Sequence, residues 1–356
     1  MLTSIVAFVI VIAICVLVHE GGHFITARLL GVQVHEFAFG MGPLVRQRVG
    51  VGPCGSRTLW SWRAFPVGGF CRLAGMGEEI EDEAVVSGMG FDEQPAWRRF
   101  FILLDGSLSN VVLAMILTAL FLYGHGVLDM DSTRIGEIMK GFPSETAGLQ
   151  VGDSIVSVND RAVSEWREMS DALRTEAQKA PDVRIEILRG EEKLQLTVSI
   201  PMNEDYGRPM LGISPSVVRY GALDAITNAA SYTFRMTVLM LRGIADWIAR
   251  RQEVDVTGPI GIASMSGRAM REGLWSFVSF LSLISLNLGL LNLFPIPALD
   301  GGRILFVLLE MILRRRLPAK VENWIHTAGF VLLISLMIFI TYQDVHNLFW
   351  TERGAP

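Results

Sequence analysis

The sequence predicts an α-helical integral membrane protein with a soluble domain inserted between its membrane helices. Of its 356 residues, 51% are hydrophobic, and the mean hydropathy of +0.40 is higher than that of most soluble globular proteins of this size. About four stretches are long and apolar enough to cross a bilayer. Between them lie an arginine-rich loop, which contains a small β-hairpin or sheet, and a segment of soluble composition.

The first membrane helix carries the pattern His-Glu-x-x-His. No residue from Leu2 to Val18 is charged, and His19, Glu20 and His23 follow immediately. An ionisable residue in hydrocarbon costs roughly 2.5 to 3.5 kcal/mol on insertion scales, so three of them here indicate a function. The stretch lacks the basic residues that open a signal peptide, and we therefore expect it to be retained as a membrane helix.

The spacing of this pattern predicts a zinc site. Residues four apart lie on one face of a helix, so His19 and His23 can direct imidazole nitrogens at one metal ion. Glu20 lies beside them as the proton acceptor for a zinc-activated water, which is the chemistry of peptide hydrolysis. Two histidines leave the site incomplete, and we expect a carboxylate as the third ligand. Cys15 lies one turn before His19, where we expect a small buried hydrophobe instead of a ligand.

The composition argues against several other classes of protein. The three cysteines, Cys15, Cys54 and Cys71, form neither a paired framework nor a Cys-x-x-Cys motif, so nothing requires an oxidising compartment. The net charge of -5 is unremarkable, and no basic patch interleaved with aromatic residues indicates nucleic-acid binding.

A loop rich in Gly, Pro and Arg follows the first helix. Its positive charges predict a cytoplasmic location, which places the histidines near the cytoplasmic end of their helix and the N-terminus outside. Residues 57–62 and 65–73 predict short strands of a small sheet. This sheet either offers an edge strand to an extended substrate or only packs as a hairpin. The residues proposed for substrate contact are Gly68, Gly69 and Phe70.

Residues 100–123 form the second predicted span. Small and polar residues, among them Asp105, Gly106, Ser109 and Asn110, suit close helix packing better than contact with lipid. Asp105 is an alternative metal ligand, but its position near the cytoplasmic end favours an interfacial role.

Residues 128–216 predict a separate soluble domain. The run 144–160 combines turn glycines with alternating apolar residues and ends in an Asn-Asp turn, and it resembles a PDZ domain in the circular order of bacterial proteases. The resemblance implies that strand 135–138, which includes Gly136, pairs with a peptide and that helix 165–174 forms the opposite wall. The domain then either excludes bulky substrates, which we expect, or captures an exposed C-terminus.

The segment 217–273 is predicted to be amphipathic and extracytoplasmic. Arg235, Arg242, Asp246 and Arg250 recur on one face of a helix, opposite an apolar face. This arrangement favours a helix at the membrane surface over a membrane span.

The third span, about 274–294, ends in a second informative stretch from Asn292 to Gly302. Pro295 and Pro297 interrupt helical hydrogen bonding at membrane depth, which is tolerated only where protein or a water-filled cavity satisfies the freed groups. Asp300 follows and is well placed to complete the zinc site, although an aspartate there also suits the cap of the next helix.

A last span, about 325–340, follows a basic cluster that the positive-inside rule places in the cytoplasm, so the C-terminus lies outside. We expect four regions along the chain. They are an N-terminal membrane region (1–127), a PDZ domain (128–216), the amphipathic segment (217–273) and a C-terminal membrane region (274–356).

The two motifs together resemble the site-2 proteases, which are intramembrane zinc metalloproteases, and among these the bacterial regulator-of-sigma-E protease group. The similarity also covers residues 39–43, 68–70 and 257–260. Carried over to this chain, it implies zinc on His19, His23 and Asp300, Glu20 as general base and acid, Asn292 on the substrate backbone, and Pro295 and Pro297 shaping the broken helix. The chain departs from the group in having room for only one PDZ domain. It also has Gly106-Ser107-Leu108-Ser109-Asn110 where many members have Gly-Pro-x-x-Asn.

The same resemblance implies regulated intramembrane proteolysis of single-span proteins such as anti-sigma factors or remnant signal peptides. The enzyme would act in the bacterial inner membrane after an upstream site-1 protease has trimmed the substrate. A membrane-anchored PDZ receptor that binds envelope protein tails without cleavage is the alternative, but it has no use for the four motif residues. A metal transporter would need more carboxylates within the membrane helices than this chain has.

Overall fold

The structure, a computed structural model, describes residues 2–52, 56–76, 85–203, 207–249, 258–316 and 318–351. It contains two compact units. The first, the membrane unit, combines Met1–Phe121 with Asp224–Pro356, and the second, the inserted unit, comprises Leu122–Leu223. The inserted unit includes the domain predicted at 128–216.

The helices and strands follow the chain in this order. The helices are α1 (Leu2–Leu29), α2 (Ala96–Gly124), α3 (Pro143–Thr146), α4 (Trp166–Lys179), α5 (Ala222–Ile248), α6 (Pro259–Glu272), α7 (Leu274–Asn292), α8 (Asp300–Leu313) and α9 (Ala319–Thr351). The strands are β1 (Val34–Val51), β2 (Arg57–Leu73), β3 (Val127–Leu128), β4 (Ile135–Ile138), β5 (Ser154–Val158), β6 (Arg161–Ala162), β7 (Asp182–Arg189), β8 (Glu192–Ser199), β9 (Met202–Asn203), β10 (Arg208–Pro209), β11 (Ile213–Pro215) and β12 (Val217–Val218).

In the part of the chain that the structure describes, four helices are long and apolar enough to span a membrane, as the sequence predicts. They are α1, α2, α7 and the Val321–His346 part of α9. These helices are longer than a bilayer core requires, except that α7 has 19 residues and only just reaches that length. The chain is therefore built as an α-helical integral membrane protein.

Small and hydroxyl-bearing residues allow α2 and α7 to approach closely. The hydroxyl groups of Ser282 and Ser285 each donate to a backbone carbonyl of α2, at Ala114 and Asn110, over 2.8 Å. In a bilayer such bonds satisfy polar groups that lipid cannot satisfy. α7 also packs on α1, where Leu281 meets Val11 and Cys15 in one apolar cluster.

The arginine-rich loop contains more β-structure than the two short strands that the sequence predicts. β1 and β2 are 18 and 17 residues long and pair along most of their length. Phe37 pairs with Cys71 on one side and with Trp60 on the other. The first part of β1 is therefore a central strand, with the beginning of β2 along one edge and the end of β2 along the other. Gly40 and Gly68, with φ of +85° and +83°, adopt the left-handed conformation that favours glycine and bend the strands back. The last part of β2 forms an edge of this sheet.

The inserted unit has the sheet and helix of the predicted PDZ domain. β5, β6, β7 and β8 form one antiparallel sheet in the order β6-β5-β7-β8, and β4 pairs with β11. Met169 on α4 packs into the core formed by Ile155, Ile185 and Ile187, all of which are at most 1% exposed. A groove runs between α4 and residues 208–213.

The helix predicted after the PDZ domain is present as α5. Leu223, Phe234 and Leu239 on this helix are 67% to 74% exposed. Arg250 and Arg251 lie outside the described residues, as do Thr257 and Cys54. The position of α5 at a membrane surface stays a prediction.

Candidate metal centre

Three metal-binding side chains converge inside the membrane unit. His19 and His23 lie one turn apart on α1 and are 7% and 8% exposed, and Asp300 is the first residue of α8. Among the described residues, these three form the cluster of His, Cys, Asp and Glu side chains that can hold a metal ion. The sequence places Asp300 277 residues after His23, and the fold brings the two together.

The distances between the donor atoms fit a zinc ion. Asp300 Oδ2 lies 2.9 Å from His19 Nε2 and 3.3 Å from His23 Nε2, and the two Nε2 atoms are 3.3 Å apart. Zinc bonds of about 2.0 to 2.2 Å in a tetrahedral site place neighbouring ligand atoms about 3.3 to 3.6 Å apart. The two spacings of 3.3 Å match this range, and the Asp300–His19 spacing of 2.9 Å is slightly shorter. Two imidazoles and a carboxylate are also a ligand set of catalytic zinc sites, which keep the fourth position open.

A backbone carbonyl orients one of the two imidazoles. The Nδ1–H of His23 donates to the carbonyl oxygen of Ile102 over 2.8 Å, which directs Nε2 towards Asp300. Ligand histidines are commonly fixed in this way through their second ring nitrogen. Nδ1 of His19 is buried and has no hydrogen-bond partner among the described residues.

Glycines bring the second helix against this site. A Cβ at Gly106 of α2 would lie 2.5 Å from Cε1 of His23, and a Cβ at Gly22 of α1 would lie 2.5 Å from the carbonyl oxygen of Asp105. Any side chain at either position would therefore push α1 and α2 apart or displace the imidazole. The small residues predicted near the site serve this close approach.

Glu20 contacts the edge of the β1–β2 sheet. One of its carboxylate oxygens, Oε2, accepts the backbone N–H of Cys71 over 2.8 Å. This bond holds the carboxylate of Glu20 beside the two histidines and joins it to the last part of β2. Sequence reasoning missed the role of Cys71, because a backbone donor leaves no signature in the residue type.

The predicted break after α7 is present as a non-helical turn, residues 293–299, that contains Pro295 and Pro297. Asn292 ends α7, and its Nδ2 lies 3.5 Å from His19 Nε2, so its amide borders the metal-binding atoms. A Cβ at Gly301 would lie 2.5 Å from the carbonyl oxygen of Leu293, so the first turn of α8 packs tightly on this segment. This packing fixes the position of Asp300, the residue before Gly301.

Asp105 and Cys15 have other surroundings. Asp105 accepts a hydrogen bond from the hydroxyl of Thr26 and is not a member of the metal-binding cluster. Cys15 is fully buried between Val11 and Leu281 as a small apolar residue.

The other predicted contact residues divide into two groups. Gly68, Gly69 and Phe70 directly precede Cys71 on the edge of the sheet beside Glu20. Gly136 does not lie at the groove of the inserted unit. A Cβ at Gly136 would lie 2.5 Å from Cα of Ser216, because β4 is covered by β11 and the residue after it. The groove is lined instead by α4 and residues 208–213, which corrects the assignment of the peptide-pairing strand to 135–138.

Residues 7–336 match Peptidase family M50. A protein of Fusobacterium nucleatum is 33% identical over 350 residues, which cover 96% of this chain and 98% of the relative. A protein of Rickettsia conorii is 31% identical over 364 residues, which cover 97% and 99%. The names of both describe a zinc metalloprotease.

The inserted unit is similar to a solved PDZ domain of an SdrC-like protein from Listeria monocytogenes. The two are 21% identical, the match covers 23% of this chain and 85% of that one, and the TM-score is 0.21. The family match and the relatives span nearly the full chain. The chain belongs to peptidase family M50, the site-2 proteases, and is a zinc-dependent metallopeptidase of the integral membrane type.

Proposed function

We propose that this protein cleaves a peptide bond within or beside the membrane helix of a single-span membrane protein. The observation that carries the proposal is the convergence of Asp300 with His19 and His23, at 2.9 to 3.3 Å between donor atoms. Both histidines lie on α1, which is long enough to span a membrane. A zinc site at that depth serves a substrate that is itself in the membrane.

His19, His23 and Asp300 would hold the ion, and Glu20 would move the proton. Bound there, zinc supplies a Lewis acid for the attacking water and the substrate carbonyl. The Glu20 carboxylate accepts the proton of the water and then delivers it to the leaving amine. Its bond to the Cys71 N–H keeps it next to the histidines while it does so. The amide of Asn292, which borders His19 Nε2, is suited to bind the substrate backbone.

The edge of β2 is suited to hold the substrate in an extended form. A helical substrate must unwind before its amide bond can be attacked, and an edge strand stabilises an extended chain through backbone hydrogen bonds. The N–H of Cys71 points out of the sheet towards Glu20, and because strand amides alternate in direction, the N–H of Gly69 lies on the same side. A substrate added here, beside Gly68, Gly69 and Phe70, would pass the metal-binding residues. Pro295 and Pro297 keep the opposite segment non-helical and accessible.

Charge supports one orientation in the membrane. Arg46 and Arg48 on β1 and Arg314–Arg316 after α8 belong to the two connections that the positive-inside rule places in the cytoplasm. With those connections inside, both termini and the inserted unit lie outside, and the metal centre lies towards the cytoplasmic side of an inner membrane.

The resemblance to the site-2 proteases supports a class of substrate that is compatible with this orientation. A substrate such as an anti-sigma factor or a remnant signal peptide would be trimmed outside by an upstream site-1 protease and would then release a fragment into the cytoplasm. The inserted unit would exclude untrimmed substrates by size before they reach the site.

The test is cleavage of a single-span substrate by the detergent-purified protein and by Glu20→Gln. A glutamine oxygen can still accept the Cys71 N–H, so this variant should keep its fold and its zinc. Cleavage should fall by at least about a hundredfold, because the proton acceptor is lost. A variant that cleaves at the rate of the unmodified protein would remove Glu20 from this role. An unmodified protein that binds substrate tails and never cuts them would instead establish the PDZ-receptor function.

A further inference from the structure

The turn that leads to Asp300 is held by the last helix of the chain. Ala298 lies two residues before Asp300, and its backbone N–H donates to Nδ1 of His326 on α9 over 3.1 Å. Ala298 has a φ of +78°, a left-handed conformation that is unfavourable for a residue with a Cβ by about 1 kcal/mol or more. The surrounding structure must therefore impose this conformation.

A second contact lies one turn further along α9. Gly329 is buried, and a Cβ at this position would lie 2.7 Å from the carbonyl oxygen of Pro297. His326 and Gly329 are three residues apart and so lie on one face of the helix. That face of α9 contacts the turn at two successive residues, Pro297 and Ala298.

The imidazole of His326 is itself positioned from α8. The ring of Phe306 packs against it edge-on, with ring centroids 5.5 Å apart and an angle of 71° between the planes. To accept the Ala298 N–H, Nδ1 must be unprotonated, so the ring hydrogen lies on Nε2. His326 thus links α9, α8 and the turn, and it lies outside the metal-binding cluster.

We propose that His326 is a positioning residue that acts through Ala298 to set Asp300 in register with His19 and His23. This inference rests on the proposed ligand set. The link is mechanical: Gly302 of α8 packs on the turn, where a Cβ would lie 2.5 Å from the carbonyl oxygen of Ile296. A turn that relaxes at Ala298 therefore moves the start of α8 and with it the carboxylate of Asp300.

Three substitutions separate this role from general packing. Asparagine can place an oxygen near the position of Nδ1 and accept the same N–H, whereas leucine keeps the volume and loses the acceptor. His326→Asn should therefore keep Asp300 in place as a zinc ligand, and His326→Leu should not. Leu332→Ala, at a position of α9 that is 69% exposed, is the control for effects on the helix as a whole.

The experiment measures zinc affinity of the full-length, detergent-purified protein by competition with a chelator. We expect His326→Leu to bind zinc about tenfold more weakly, as loss of an outer-shell partner does, and His326→Asn and Leu332→Ala to remain within about twofold. In an Asp300→Asn background, His326→Leu should cause no further loss, because its effect passes through Asp300.

Two results would overturn the inference while leaving the ligand set intact. One is normal zinc affinity in His326→Leu when Asp300→Asn binds weakly. The other is an equal loss from His326→Leu with and without Asp300. The first of these results, in a His326→Leu protein that is also less stable, would show a purely structural role. Normal zinc affinity in Asp300→Asn would contradict the proposed ligand set itself, and the inference with it.

Discussion

At the scale of single residues, the metal centre depends on missing side chains as well as on ligands. Gly22 and Gly106 allow α1 and α2 to approach so closely that the Ile102 carbonyl reaches His23 Nδ1. Gly21, the neighbour of Gly22, has open space where a Cβ would lie. Of the two adjacent glycines of the His-Glu-x-x-His motif, Gly21 therefore has room for a larger side chain and Gly22 does not.

We predict that Gly22→Ala destabilises the protein by about 1 to 3 kcal/mol, the usual cost of overpacking against rigid backbone. The new methyl group would meet the carbonyl oxygen of Asp105, which cannot move without shifting α2. Thermal unfolding in detergent measures the effect, and Gly21→Ala is the matched control, expected to unfold as the unmodified protein does. Equal unfolding temperatures for both variants would show that the helices are less tightly packed than described.

The sequence predicts the side chains of the site better than its backbone contacts. His19, Glu20, His23 and Asp300 are recognisable because two motifs place ionisable residues in apolar surroundings. The Cys71 N–H and the Ile102 carbonyl are present in any residue type, so no pattern reveals them. The left-handed Ala298 is equally hidden, because alanine carries no signal for that conformation.

At the scale of elements, periodicity predicts helices well and strand partners poorly. Long apolar runs define the four spans directly. The strands of the inserted unit are also recognisable, but the alternation of apolar and polar residues does not reveal which strands pair with each other. The resemblance to PDZ domains implies that Gly136 lies at the peptide groove, whereas β11 pairs with β4 and residues 208–213 line the groove. The bend in β1 and β2 is not predictable from alternation either, because it depends on which residues of the two strands pair.

One ion pair ties together the core sheet of the inserted unit. Arg189 on β7 donates through Nε and Nη2 to both oxygens of Asp153, each over 2.8 Å, and Asp153 is 1% exposed. Burial alone would raise the pKa of the Asp153 carboxyl, but Arg189 and the backbone N–H of Gln150 outweigh it and hold that pKa below its usual value. The charged carboxylate is thus favoured by folding.

We predict that this unit loses stability in acid through Asp153. Because the pKa is lower in the folded than in the unfolded chain, the contribution is complete above the unfolded value of about 3.9 and is lost as pH falls through the folded value. Asp153→Asn should cost about 1 to 3 kcal/mol at neutral pH and flatten the acid dependence. Hydrogen exchange of the β5 amides in the full chain, corrected for intrinsic rates, measures both effects.

The exposed pair of Asp160 and Arg184, whose side chains are 78% and 68% exposed, provides the control. Asp160→Asn should change the exchange free energy by less than about 1 kcal/mol, since exposed ion pairs contribute little. Equal effects of the two substitutions would contradict the role of the buried pair.

At the scale of the molecule, the two compact units come from different parts of the chain. The metal centre lies within the membrane unit, which is assembled from both ends of the sequence, and the inserted unit occupies the middle. The Peptidase M50 match over residues 7–336 spans both units. Of the three residues that would hold zinc, two come from α1, before the insertion, and one comes from α8, after it.

The most direct test of this account is the zinc content of the purified protein. The unmodified chain should hold one zinc ion per chain, and His19→Ala and Asp300→Asn should each lose most of it, because each removes one of three ligands. Asp105→Asn, a carboxylate on the neighbouring helix that instead accepts a hydrogen bond from Thr26, should keep its zinc. Full zinc content in Asp300→Asn, or loss in Asp105→Asn alone, would contradict the assignment of the metal centre.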